Sequence, residues 1–389
     1  MKEHYDFSIV IPTENRSCLL TALLASLKAD RESYAYGDTE VIVVDSSEGE
    51  EKEKIMLACK EYDAAYYVGD ISVRKKRNHG IIKARYPYIL FVDSDVTAEP
   101  GLISSHMNVY RDFSSPKLGG VLGYTEFAGK LTFWWKLLEQ SMLIDAFSFA
   151  RKYPFQSWTI GNNVSFRKDV LVEVGMFEES FPFKLGGDDL DMTYRITKAG
   201  YLIKSCPEAV TYHSRETWNS IKAIHNRAKR WGTMEYYICQ RHPEIYQNVM
   251  PRSCLINACV LLIGGIAAIL SLLWMPNAVV AICAVLFVVF NMIGVYILDM
   301  MTAKCYKNPL YYFLGKIVQL HYGMYRWKSF IQHKVYSVPF RGMVFNHYQI
   351  RYGMVYESRR MWVVLLGATL AVFLTRFFLL PLLTGGVTA

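Results

Sequence analysis

The sequence predicts an α/β domain with a mainly parallel sheet, followed by a helical membrane region. Three observations carry that prediction. Short β-branched apolar runs alternate with helical stretches through the first 253 residues, acidic residues stand just past the ends of those runs, and the last third of the chain is apolar and basic.

The runs are "FSIVIP" from residue 7, "EVIVVD" from residue 40 and "YILFVD" from residue 88. Continuous apolar runs of this length suit strands buried on both faces, as in a parallel sheet. The periodic stretch "SCLLTALLASLKA" and the stretches Glu50 to Tyr62 and Val73 to Arg85 read as the helices between them. Successive βαβ units are the economical fold for that alternation. Ligands of such sheets bind beyond the carboxyl ends of the strands. Thr13, Glu14, Asn15, Asp45, Asp93 and Asp95 all fall there. Carboxylates that would repel one another at one sheet edge suit a hard divalent cation, Mg²⁺ or Mn²⁺, held with substrate phosphates. The plainer alternative is that each acid only caps a following helix or solvates a loop.

At 389 residues the chain is long enough for one large domain or two ordinary ones. No G-x-G-x-x-G follows the first strand and no G-x-x-x-x-G-K-[ST] occurs, which argues against dinucleotide and P-loop chemistry. A diphosphate would instead meet a metal and bases such as those of "SVRKKRNHG", a run that otherwise reads as a solvated helix face.

Residues 254–389 carry 11 Lys/Arg against 2 Asp/Glu, so the net charge of +8 belongs to the apolar part. That placement favours anionic lipid headgroups over nucleic acid as the partner. Leu255 to Met275 and Ala278 to Met300 are long enough to cross about 30 Å of hydrocarbon, and the uncharged turn "WMPN" makes them a hairpin. Met361 to Leu383 reads as a third span, in which Arg376 must snorkel, pair or face protein. Residues 301–360 hold ten Lys/Arg and one acid, so the positive-inside rule keeps them and residues 1–253 cytoplasmic, an orientation expected of a multi-pass cell-membrane protein. Their aromatic content suits a segment in the headgroup region. The expected organisation is a catalytic domain over 1–253, a hairpin over 254–300, an interfacial segment over 301–360 and a third span with tail over 361–389. The eight scattered cysteines form no C-x-x-C pair, so neither a disulfide scaffold nor a zinc site is expected. The N-terminal "MKEHYDFSIVIPTEN" does not read as a signal peptide.

The segments "FSIVIPTENR", "VIVVDSSEGE", "RKKRNHGIIKARYPYILFVDSDV" and "IGNNVSFRKDVLVEVGMFEESFPFKLGGDDLDMTYRITKAGYLI", in that order, resemble the signature segments of the family 2 glycosyltransferases, which have the GT-A fold of nucleotide-diphospho-sugar transferases. The resemblance runs from about residue 7 to residue 215. It implies a nucleotide-sugar donor, most often UDP-linked, a divalent metal and transfer with inversion. It assigns Glu14 and Asp45 to the nucleoside, with Thr13 and Asn15 beside them, Asp93 to the ribose side and Asp95 to the metal. Two departures leave nucleoside specificity open: Asp45-Ser46-Ser47-Glu48-Gly49 stands for a D-D-G-S-like turn, and Lys76-Arg77-Asn78-His79-Gly80 for A-R-N-x-G. Arg77 and Asn78 keep the matching groups.

Gly186-Gly187 precede a helix whose first turn holds Asp188, Asp189 and Asp191. Inverting transfer needs one carboxylate to take the acceptor hydroxyl's proton. By resemblance Asp189 is that base and Asp188 its neighbour, although acids also favour any helix N-terminus. Similar enzymes place a third metal ligand where His213 stands in "VTYHSR". "RAKRWG" resembles the Q-x-x-R-W motif of membrane polysaccharide synthases, with Arg227 for the Gln, Arg230 toward the diphosphate and Trp231 toward an acceptor sugar; a buried amphipathic helix is the alternative. "GKLTFWWKLLEQSMLIDAFSFARKYPF" reads as a helix with a broad aromatic face, for the core or the bilayer.

The expected function is transfer of a sugar from a nucleotide sugar to a membrane lipid or lipid-linked acceptor. The rival readings are a processive polysaccharide synthase, whose channel three spans would supply only in an oligomer, and a sugar nucleotidyltransferase.

Overall fold

The computed structural model describes residues 5–113, 115–141, 143–182, 186–248, 278–303, 308–338 and 341–343, with single positions between 262 and 269 and between 366 and 374. The chain divides into two compact units: Met1–Trp135 with Leu143–Asn226, and Lys136–Met142 with Arg227–Ala389.

The first unit is built on one sheet. Its strands are β1 (Phe7–Thr13), β2 (Thr39–Asp45), β3 (Ala65–Val68), β4 (Tyr88–Val92), β5 (Val96–Ala98), β6 (Leu118–Ala128), β7 (Phe155–Gln156), β8 (Asn163–Arg167) and β9 (Leu202–Ser214). The order is β3-β2-β1-β4-β8-β6-β9-β5, with β7 on β9. Neighbours from β3 to β4 are parallel, β6 and β9 are parallel, and β5, β7 and β8 run antiparallel to their neighbours. The expected mainly parallel α/β sheet is therefore present, with three antiparallel insertions.

All seven residues of β1 are buried, because both faces are covered. Ile9 and Ile11 pack with Leu20, Leu23, Leu24 and Leu27 of α1 (Ser17–Ser33) and with Ile55 of α2 (Gly49–Glu61). On the other face Val10, Ile42 and Val44 pack with Ile81 of α3 (Val73–Lys83). A Cβ on Gly80 would lie 2.3 Å from Val10 Cγ1, so this glycine lets α3 sit against β1. The helices expected at Glu50 to Tyr62 and Val73 to Arg85 thus form with nearly those bounds. Further helices of the unit are α4 (Leu102–Asp112), α6 (Phe149–Lys152), α7 (Lys168–Glu173) and α8 (Asp188–Lys198); α5 (Phe133–Gln140) and α9 (Ile221–Arg241) run from it into the second.

The single helix expected across residues 129–155 is instead broken into α5, a 3₁₀ turn at Asp145–Ser148, α6 and β7. At the break the Ser141 hydroxyl donates back to the Leu138 carbonyl, at 2.5 Å.

In the second unit, α10 (Ala278–Ala303) and α11 (Pro309–Gln332) follow α9, and β10 (Tyr246–Asn248) pairs antiparallel with β11 (Arg341–Met343). Asn308 caps α11 by accepting from the Leu310 amide at 3.0 Å, ahead of Pro309. Glu235 of α9 and Arg326 of α11 form a buried ion pair at 2.6 Å. Tyr322 donates to the same carboxylate at 2.6 Å and Arg326 donates to the Val338 carbonyl at 3.0 Å, so the buried charges have partners.

α10 coincides with the second apolar segment as one helix of 26 residues. The segments Leu255 to Met275 and Met361 to Leu383 lie almost wholly outside the described residues. Among the described residues, no helix is long and apolar enough to cross a membrane. Membrane crossing is therefore an expectation of the sequence alone.

Candidate active site

The D-x-D segment begins where β4 ends. Asp93 and Asp95 flank Ser94, and the chain then enters β5, which pairs antiparallel with β9 so that Val96 faces His213. That register, with the Ser214 amide donating to the Asp95 carbonyl at 2.9 Å, brings His213 to the two acids. One ligand atom from each of Asp93, Asp95 and His213 lies within 4.8 Å of the others. The set is two carboxylates and an imidazole, a donor chemistry that fits Mn²⁺ or Mg²⁺ with phosphate oxygens completing the shell.

The geometry around Asp95 is directional. Its Oδ2 accepts from Arg16 at 2.8 Å and from the Thr217 hydroxyl at 3.1 Å, while Oδ1 faces His213 Nε2 at 3.5 Å. His213 Nδ1 lies 3.2 Å from the Ser214 carbonyl. With the proton assigned to Nδ1 for that bond, Nε2 presents its lone pair to the acids, the tautomer a metal ligand needs. Phe127 stacks on the imidazole and Phe147 and Trp218 meet it edge-on, which fixes the ring.

Arg77, almost fully buried, joins this cluster to the second acidic pair. One nitrogen donates to Asp188 at 2.7 Å, and another to Asp93 and to the Gly161 carbonyl, each at 3.1 Å. Gly161 has no room for a side chain: a Cβ there would lie 2.7 Å from the guanidinium. The IGNN loop thus holds Arg77 by being bare at this position.

Asp188 and Asp189 open α8 behind Gly187, whose φ of 76° is readily reached only by glycine. Asp188 also accepts from the Gly186 amide at 2.9 Å. Asp189 differs from its neighbour. It accepts from two backbone amides, Gly161 at 3.2 Å and Leu190 at 2.9 Å. Burial first, then the charge of Asp188, pushes its carboxyl up to about 6, against the pull of Arg77. Asp191 is taken up by Arg195 one turn on, at 2.8 Å, and serves the helix. Burial and the charge of Asp95 likewise raise Asp93, again against Arg77.

The nucleoside-side residues collect at the ends of β1 and β2. Asp45 is fully buried; its carboxylate accepts from the Ser47 amide at 3.0 Å, the Ser47 hydroxyl at 2.6 Å and the Tyr66 hydroxyl at 3.1 Å. Thr13 is buried, and its carbonyl accepts from Lys76 at 2.6 Å. Asn15 is exposed with φ of 52°, its amide on the Ser47 hydroxyl at 2.7 Å, and Glu14 is half-buried beside it.

Asn78 is engaged within the fold. Its amide brackets the backbone of Phe177, donating to the carbonyl and accepting from the N–H, both at 2.9 Å, and so anchors the segment that leads to Asp188. Arg230 and Trp231 belong to the second unit.

The sequence reading did not single out Arg16, Thr217, Lys76 or Gly161. The basic run and the IGNN motif were visible, but their partners are made only by the fold.

Residues 8–175 match the family described as Glycosyl transferase family 2. The chain is 28% identical over 246 residues to a chondroitin synthase of Escherichia coli, covering 53% of this chain and 34% of that one. It is 27% identical over 273 residues to a validoxylamine A glucosyltransferase of Streptomyces hygroscopicus subsp. jinggangensis, covering 63% and 62%. The chain therefore spans about a third of the length of that synthase. Among solved structures, a mannosyltransferase from Pyrobaculum calidifontis, in complex with GDP-Man and Mn²⁺, superposes with a TM-score of 0.50 at 15% identity over 83% of this chain and 87% of that one, a likeness of fold.

Proposed function

We propose that this chain, whose residues 8–175 match the family described as Glycosyl transferase family 2, moves a sugar from a nucleotide sugar to a membrane lipid or lipid-linked acceptor, with inversion and with the help of Mn²⁺ or Mg²⁺. A UDP-linked sugar is the leading donor. The single observation that carries this reading is the bridge through Arg77, which couples the cluster Asp93, Asp95 and His213 to the pair Asp188 and Asp189.

A divalent cation held by Asp93, Asp95 and His213 would supply Lewis-acid stabilisation of the departing diphosphate. The rest falls to the chain. Asp189 is aimed by the Gly161 and Leu190 amides and takes the acceptor hydroxyl's proton. A carboxyl near 6 is ionised at neutral pH yet basic enough for that transfer. Asp188 and Arg77 hold α8 and the D-x-D turn in one frame. Thr13, Glu14, Asn15 and Asp45 are assigned to the nucleoside end of the donor on the resemblance. Arg230 and Trp231 are assigned to the diphosphate and the acceptor sugar on the resemblance alone.

The membrane part of the proposal is supported by exposed apolar side chains in the second unit. Val285, Val289, Ile293 and Ile297 recur every fourth residue on α10, and Leu310, Ile317, Met324 and Ile331 every seventh on α11, each 41–61% exposed. Apolar helix faces left open to water mark a lipid or protein partner. Together with the basic loop they favour a multi-pass cell-membrane protein with its catalytic domain cytoplasmic. The similarity to chondroitin synthases keeps processive polymer synthesis as the second reading, with oligomerisation supplying a channel.

The test is nucleoside diphosphate release by full-length protein in native lipid, over a panel of nucleotide sugars, with Mn²⁺ or Mg²⁺ and lipid extract. Release from one donor that requires metal and disappears in Asp189→Asn supports the proposal. Release of pyrophosphate in its place would identify a nucleotidyltransferase, and long products from one acceptor would identify the processive enzyme.

A further inference from the structure

Arg16 lies one residue before α1, after the left-handed turn at Asn15, and its guanidinium pairs with Asp95 Oδ2 at 2.8 Å. The partners differ in exposure: the arginine side chain is 38% exposed, the aspartate 4%. Asp95 has a further hold on the Thr217 hydroxyl, and the Ser214 amide donates to its backbone carbonyl, so Arg16 is not needed to orient it.

Two positive groups would then compete for one buried carboxylate. A divalent cation sits about 2.0–2.2 Å from a carboxylate oxygen, within a few ångströms of where the guanidinium now lies. Like charges at that spacing repel in a partly buried site. An arginine more than a third exposed can leave, and a diphosphate bound at the same metal would offer it an anionic partner for paired N–H donors.

We propose that Arg16 is an internal counter-ion for Asp95 while the metal site is empty, and that it moves to the donor's diphosphate when a divalent cation takes Asp95. The inference rests on the nucleotide-sugar and metal reading of this site. It makes Arg16 both a competitor of the metal and a ligand of the nucleotide, two roles with opposite signs in one variant.

The measurement uses the full chain, with free Mn²⁺ followed by electron paramagnetic resonance and binding of UDP, GDP, uridine and guanosine by calorimetry. Arg16→Gln should bind Mn²⁺ about tenfold more tightly without nucleotide and bind the preferred nucleoside diphosphate about tenfold more weakly at saturating Mn²⁺. Nucleoside affinity should stay unchanged, and Arg16→Lys should restore much of both effects. Both affinities falling together in Arg16→Gln, as damage to the fold would cause, overturns the inference. So does a variant in which neither affinity moves. Wild-type protein that binds neither Mn²⁺ nor any nucleoside diphosphate would overturn the proposed function itself.

Discussion

The two acidic pairs, Asp93 with Asp95 and Asp188 with Asp189, are made of the same residue and share Arg77, yet the fold gives them different surroundings. Asp95 accepts from the Arg16 guanidinium and the Thr217 hydroxyl and faces His213 Nε2, so its surroundings offer a cation and a ligand imidazole. Asp189 receives only backbone amides and sits beside another acid, and its carboxyl rises to about 6. One environment suits holding a cation and the other suits accepting a proton. Chemically identical side chains are thus sorted into roles by what lies within hydrogen-bond reach.

The largest break in that comparison is removal of either carboxylate. Asp189→Asn and Asp95→Asn should each lower turnover by about two to four orders of magnitude while the protein stays folded. Only Asp95→Asn should also weaken Mn²⁺ binding. Equal loss of metal binding in both variants would erase the division of labour.

Removing the bridge comes next. Arg77→Met would leave Asp188, which is nearly fully buried, without its cation. Breaking a buried pair on one side costs about 3–5 kcal/mol, which equilibrium denaturation would read directly. Unchanged stability would mean that Asp188 finds another partner. A milder version keeps the arginine and crowds it. Gly161→Ala drives a methyl to 2.7 Å from the guanidinium and should cost about 1–3 kcal/mol. Activity should fall by about tenfold as both carboxylates shift.

How much of this was legible in the sequence follows from how local each signal is. β1, β2 and β4 announce themselves as apolar runs ended by acids, and the D-x-D and Gly-Gly-Asp-Asp signatures fit in a few residues. Arg16 and Thr217 carry no such mark, since Thr217 reaches Asp95 across 122 residues of chain. Asn78 is visible in its motif, whereas the bonds of its amide to the Phe177 backbone are made only by the fold. The broken helix after residue 132 was hidden because its aromatic periodicity is intact across the break. Asp45 was legible as a strand-end acid, but not its occupation by Ser47 and Tyr66.

The smallest effect tests the electrostatic origin of the difference. A general base must be ionised, so turnover should fall as pH drops through about 6 in the wild type. Asp188→Asn removes the negative charge that helps to raise Asp189 and leaves Arg77 free to favour its ionised form, so the acid limb should move to lower pH. The same shift appears in stability with a fixed sign. Because the folded carboxyl lies above its unfolded value of 3.8, the folded state binds the extra proton between about 4 and 6. Stability should therefore decrease as pH rises through that window, and Asp189→Asn should flatten the slope. Melting curves at fixed ionic strength from pH 4 to 7 read it without any substrate. A slope of opposite sign assigned to this residue would mean that Asp189 is held ionised in the fold, and the two pairs would then differ in position alone.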